Sequence, residues 1–213
     1  MSASDPRQFL TETLPGLFAK GVAALEAAAA GDASAAARLA DVKGASGGVL
    51  LRIEGEGDVF LHVADGKMRA TEGPEDVNLA IAAPGPALRE LLGEVEASGE
   101  LSDDAAIQRA TGVASKKLQD VLGDESLLFH IIAEEVPELG TVTVKIGLNA
   151  TEPPEEPAFT ATMHHTDLEA ARSGQTNPQE LFMGGKLRMA GDYSRALQIG
   201  MQLLAMQQEQ QQQ

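Results

Sequence analysis

Four histidines, 32 acidic residues and no cysteine bound the chemistry open to this 213-residue chain. His164 and His165 are adjacent, with Asp167 two residues on, and the first question is whether they form a metal or acid–base site. Adjacent residues on a strand point to opposite faces, so regular geometry does not bring both imidazoles to one site. His62 and His130 stand alone, and no third ligand falls at a matching spacing, so no metal is expected. The missing thiols exclude disulfides, iron–sulfur clusters, thiolate zinc and a cysteine nucleophile. No Gly-x-Ser-x-Gly, Walker sequence or ordered Ser/His/Asp set occurs. Gly44, Gly47 and Gly48 precede a strand, and Gly184-Gly185 has helix before it and strand after it, the reverse of a dinucleotide loop. The carboxylates of Glu54, Glu56, Asp58, Glu152, Glu155 and Glu156 lie in Gly- or Pro-rich turns and read as solvated surface. No catalytic residue and no cofactor are expected.

Charge and hydropathy point the same way. The net charge of −16 includes no Lys/Arg cluster, which argues against a nucleic-acid partner. No run of about 18 apolar residues spans a membrane. The N-terminal Met-Ser-Ala-Ser-Asp-Pro-Arg lacks the apolar core of a secretory signal. A cytoplasmic protein is the expectation. Hydrophobic residues reach 43% while aromatics are only 3%, so the core must be aliphatic.

The elements that would position a site follow from periodicity. Asp5 and Pro6 open a helix whose Leu10, Leu14, Leu17, Phe18, Val22 and Leu25 share one face, with Pro15-Gly16 expected to divide it and Gly31-Asp32 to break it. From Val49 the period becomes two: Val49–Ile53, Val59–Val63, Lys67–Thr71 after the Asp65-Gly66 turn, and Val77–Ile81 read as a four-stranded antiparallel meander. A helix over 87–96 carries Leu88, Leu91, Leu92 and Val95. Ser102-Asp103-Asp104 caps another helix, reaching Leu122. Strands at 127–132 and 141–146 follow, then a triple-proline stretch, an alternating strand at 159–163, a helix from Asp167, a helix after Asn177-Pro178, a strand at 186–190 and a closing helix at 193–206. The glutamine-rich end should fray.

Strand, strand, alternating strand and short helix occur in that order twice, over 49–96 and again over 127–173. The implied organisation is N-terminal helices (1–46), a first half with a linking helix (47–123), a second half (124–206) and a tail (207–213).

Phe159 to Leu204 resembles the sterol carrier protein type-2 family. The carrying residues are Asp167-Leu168-Glu169-Ala170-Ala171-Arg172-Ser173-Gly174, then Asn177-Pro178 through Leu181-Phe182-Met183-Gly184-Gly185-Lys186-Leu187-Arg188-Met189-Ala190-Gly191-Asp192, then the helix through Ala196-Leu197. Residues 124–206 are compatible with the family throughout, and 47–96 with a degenerate copy that lacks the Asn-Pro…Gly-Lys-Leu string. The resemblance implies an α+β fold: a twisted, mainly antiparallel sheet covered on one face by helices. It also implies a non-catalytic carrier holding a fatty acid, acyl-CoA, phospholipid or sterol in an apolar tunnel between sheet and helices, with at most transient membrane contact.

Such a site needs apolar area and little chemistry. Phe159, Ala161 and Met163 form one face of their strand, and Leu187 and Met189 one face of theirs. Leu168, Leu181, Phe182 and Met183 can close over them, as can Leu197, Met201 and Leu204, which share a helical face. Lys186, Arg188 and Arg195 outnumber Glu180 and Asp192 over 177–204, and either meet a carboxylate or phosphate head group or snorkel over the sheet edge. The alternative is a structural or dimerisation module of the same fold, its cavity filled by side chains and its copies paired as a homodimer.

Overall fold

The computed structural model describes residues 5–98, 111 and 114–211. The cap expected at Ser102-Asp103-Asp104 lies outside them.

The chain opens with α1 (Pro6–Gln8), a π-helical turn (Phe9–Thr13) and α2 (Leu14–Ala29), then α3 (Ala33–Gly44). Asp5 caps α1 through the Arg7 N–H, and Asp32 caps α3 through Ser34 and Ala35. Pro15-Gly16 does not divide the first helix. Proline has no N–H to give the turn before it, and the wider π turn ahead of Pro15 takes up that mismatch, so the axis continues.

Eight strands form one mixed, mostly antiparallel sheet: β1 (Gly47–Glu54), β2 (Gly57–Ala64), β3 (Lys67–Thr71), β4 (Val77–Pro84), β5 (Leu127–Val136), β6 (Gly140–Leu148), β7 (Phe159–His164) and β8 (Arg188–Gly191). Their order is β3-β2-β1-β4-β6-β5-β7-β8. The helices α4 (Gly85–Ser98), α5 (Lys116–Leu122), α6 (His165–Arg172), α7 (Pro178–Met183) and α8 (Ser194–Gln211) complete the α+β architecture.

The first four strands are not a meander. β4 runs parallel to β1 on the side away from β2, as β7 runs parallel to β5 on the side away from β6. The 72–76 connection must therefore cross the sheet. It does so against Gly48, whose N–H donates to the Asp76 carbonyl at 2.8 Å, and where a Cβ would lie 1.9 Å from the Glu75 oxygen. A chain alternating over 67–71 and 77–81 looks like consecutive neighbours; the glycine that lets the link pass is the physical sign that they are not.

Directly opposed residues share a face. One row runs Val59–Leu51–Ile81–Ile146–Phe129–Phe159 across six strands, and Phe129 and Phe159 stack at 5.1 Å. On this apolar face, Phe18, Val22 and Leu25 of α2 and Val42 of α3 pack over Val49, Ile53, Val59, Leu61 and Val63. Leu122 of α5 and Ile199 of α8 pack over Leu127 and Phe159. Each such burial contributes about 1.5–3 kcal/mol. The opposite face carries no helix among these packings; the 149–158 link crosses it, with Pro153 and Pro154 buried and the Pro154 carbonyl 2.9 Å from an His130 ring nitrogen. Arg52 ties that link to the sheet through Asp58 and Glu152. α8 continues to Gln211, into the stretch expected to fray, because glutamine is a good helix former.

Candidate functional site

Between α4 and α6, on the apolar face of the sheet, lies a cavity of about 150 Å³. Its floor is Ala83 of β4, Ile131, Ala133 and Val136 of β5, and Val142 and Val144 of β6. One wall is Ala87, Leu88 and Leu91 of α4; the other is His165 and Leu168 of α6. The spacings explain the shape. Positions 87, 91 and 94 recur at four and three on α4, and 165, 168, 169 and 172 do so on α6, so each helix turns one stripe toward the gap. Small side chains make the room: Ala83 and Ala133 stand where neighbouring rows of the sheet carry Val, Ile, Leu or Phe, and Ala87 of α4 adds little bulk above them.

The polar groups gather at the rim: Glu90 and Glu94 from α4, Glu169 and Arg172 from α6. Arg172 approaches Glu94 at 3.9 Å, an ion pair without hydrogen-bond contact. Partial burial, reinforced by the Glu169 carboxylate, holds the Glu94 carboxyl above the ordinary glutamate range. His165 Nδ1 is buried and finds no hydrogen-bond partner among the described residues.

The two adjacent histidines do not part as a regular strand would require. β7 ends at His164, which caps α6 by accepting from the Thr166 N–H and meets Glu135 at 3.1 Å through its other nitrogen. His165 is already helical, and the two rings lie 4.6 Å apart. Among the described residues no three His, Asp or Glu side chains gather as a metal site.

The residues expected to line a tunnel are spread over several places. Phe159, Ala161 and Met163 are buried on the apolar face, and Met189, opposite Ala161, packs with Phe159, Leu122 and Ile199. Leu181 is buried and Leu187 partly so. Leu168 alone of the expected set lines the cavity between α4 and α6. Phe182, Met183, Leu197 and Met201 are 44%, 79%, 46% and 64% exposed, and the side chain of Leu204 lies outside those described. Lys186, Arg188 and Arg195 are paired with Asp167, Glu134 and Glu125, and none reaches the cavity. Sequence reading missed the α4 wall and the alanines. The available signal was Ala83, Ala87 and Ala133, three small residues at positions that line the gap.

A second cavity, about 280 Å³, opens at the other end of the β4–β6 seam beside Leu79, Leu148, Asn78, Gln119 and Asn149. Its amides are engaged with backbone carbonyls: Asn78 and Gln119 with Ser46, and Asn149 with Gly123 and Glu125. It is larger but polar, and less suited to an apolar guest than the α4–α6 gap.

The residues of the C-terminal string act as joints. Asn177 caps α7 by accepting from the Glu180 N–H, and Pro178 takes the first turn. After Gly184-Gly185, the N–H groups of Lys186 and Leu187 both return to the Leu181 carbonyl. Gly191 sits at φ 93° with the Ala158 oxygen 2.5 Å from where a Cβ would be, and Asp192 then caps α8 through Ser194. Among the described residues no helix is long and apolar enough to cross a membrane. No curated protein matches the chain. The SCP-2 sterol transfer family matches over residues 94–204, which take in the end of α4, β5 to β8, α5 to α7 and part of α8. The chain belongs to the SCP-2 sterol transfer family, whose members bind or transfer lipids.

Proposed function

We propose that the protein is a non-catalytic lipid carrier and that its ligand enters the apolar gap between α4 and α6. The observation that carries this is a cavity walled mainly by Ala, Leu, Ile and Val in the middle of the sheet, with His165 on one wall and its charged groups, Glu90, Glu94, Glu169 and Arg172, at the rim. An apolar guest gains by leaving water there, at about 25 cal/mol per Å² of apolar surface covered. At about 150 Å³ the space matches a ring or a short stretch of chain. A fatty acid, acyl-CoA, phospholipid or sterol therefore requires α4 and α6 to separate further or its remainder to project past the rim. The cavity takes residues from both the 47–123 and the 124–206 segments, so both are needed for binding. The cysteine-free, acidic chain suits a cytoplasmic carrier.

A second reading is favoured by one feature, the exposed Phe182, Met183, Leu197 and Met201 on α7 and α8. Apolar side chains of that size in water suit a contact with another copy, making the chain a structural or dimerisation module. Native mass spectrometry after gentle purification separates the two. Lipid adducts on the monomer mass support the carrier. A clean apo mass at twice the monomer, with no adduct after incubation with lipid, supports the module.

A further inference from the structure

Two cavities lie on one face of the sheet, at the two ends of the seam between β4 and β6. The pairing of Leu79 with Leu148 and of Ile81 with Ile146 carries that face from one to the other. Leu79 and Leu148 line the larger cavity, of about 280 Å³, and Ala83 and Val144 the α4–α6 gap, of about 150 Å³. Ile81 and Ile146 stand between them. Both sit at the centre of an eight-stranded sheet, yet both are only half-buried, and neither belongs to a core cluster among the described residues. Isoleucine is among the residues most often fully buried, so this strip lacks a cover. The two ends differ in chemistry. No charged side chain lines the larger cavity, and its Asn78 and Gln119 each give one amide N–H to the Ser46 carbonyl. A carboxamide has a second N–H, and in these two it has no partner among the described residues.

We propose, resting on the reading of the α4–α6 gap as a ligand site, that the bound lipid is a long single chain lying along the β4–β6 seam: its tail fills the gap, its middle covers Ile81 and Ile146, and its oxygen-bearing head meets Asn78 and Gln119. Leu79 and Ala83 are four residues apart on β4, so the seam between the cavities runs roughly 14 Å at about 3.4 Å per residue. A long acyl chain spans that distance, which the gap alone does not accommodate. Together the two cavities exceed the volume of about 300 Å³ at which ligand pockets begin. The middle of the chain takes two isoleucines out of water, so the seam adds affinity in proportion to chain length. The amide N–H groups donate to a carboxylate, ester, hydroxyl or phosphate oxygen alike, so the head fixes the direction of the chain and not its class. An anionic head at the opposite rim would meet Glu90, Glu94 and Glu169, which leaves that end to the tail. β4 lies outside the stretch that matches the family, so one side of the seam is built by residues that the match does not include.

The test follows methyl NMR signals of the full chain with two stearate probes, one carrying a nitroxide near its carboxyl and the other near its methyl end. The first should broaden Leu79, Leu118 and Leu148, and the second Ala83, Ala133 and Leu168. A variant adds a second readout. Ile146→Trp puts bulk on the half-buried middle of the seam; it should weaken stearate about tenfold or more and leave octanoate, which is short enough for the gap alone, unchanged. Should that variant fail to fold, the two nitroxide patterns on the native chain decide. Broadening confined to Ala83, Ala133 and Leu168 with both probes overturns the seam while leaving the gap as a lipid site. The reverse pattern, or stearate binding unchanged in a folded Ile146→Trp, overturns it as well. If neither stearate nor octanoate moves any of these methyls, the gap reading fails and the seam with it.

Discussion

Arg172 and Glu94 meet at 3.9 Å across the mouth of the cavity, joining α6 to α4 above an apolar floor. Burial, and Glu169 behind it, raises the Glu94 carboxyl above its ordinary value in the folded chain. Between those two values the folded state binds the proton more tightly than the unfolded one. Stability therefore falls as pH rises through that window, and the charged form is a net cost above it. Glu94→Gln has no such cost. Its melting temperature should equal that of the native chain at acid pH and exceed it at neutral pH. Glu94 is half exposed, so the gain is small, under about 1 kcal/mol. A variant melting lower at neutral pH would show that the Arg172 pair outweighs the burial.

Filling the cavity separates its floor from the exposed α8 surface. Ala133→Phe adds bulk to a buried position and should cost about 1–3 kcal/mol by overpacking, with lipid binding lost. Met201→Glu changes a residue that is 64% exposed, and should move stability by no more than about 0.5 kcal/mol and leave binding alone. Urea melts and lipid co-purification read both. Loss of binding in Met201→Glu with the melt unchanged would move the site to α8.

Two glycines should refuse even a methyl group. In Gly48→Ala the new Cβ would meet the Glu75 carbonyl oxygen, and in Gly191→Ala the Ala158 oxygen, with φ at 93° besides. Each should lower stability by about 1–3 kcal/mol or more. Gly93→Ala has open space around it on α4 and should gain up to about 1 kcal/mol. Thermal melts of the three variants check the crossing at β1 and the joint before α8 together.

The helix cap at Asn177 gives a smaller, independent number. Asn177→Ala removes the acceptor for the Glu180 N–H and should cost about 0.5–2 kcal/mol without touching the cavity. Binding should persist in proportion to the folded fraction. A loss of binding at full folding would make α7 part of the site.

What was legible in the sequence was what repeats locally. The period-two runs placed all eight strands within a few residues, and the string from Asn177 to Asp192 announced the family because caps and tight turns demand particular residues at fixed offsets. The inward phase of Phe159, Ala161, Met163 and Met189 also follows from alternation. Strand order was less legible, since β4 beside β1 depends on a crossing that only Gly48 betrays. The cavity was least legible. It arises where Ala87 and Leu91 of one segment face Leu168 of another more than 70 positions away, over a floor that Ala83 and Ala133 leave open. A tunnel wall built from large apolar residues selects the packed parts of the core and the exposed faces of α7 and α8. Absent bulk, which defines the cavity, leaves almost no pattern in a chain.

The central claim, that a lipid sits between α4 and α6, is tested most directly by methyl NMR during titration with dodecanol. Shifts should appear first and largest at Ala83, Ala87, Ile131, Ala133 and Leu168, with Met183 and Met201 unmoved. Shifts concentrated at Met183, Leu197 and Met201, with the alanine methyls silent, would contradict it.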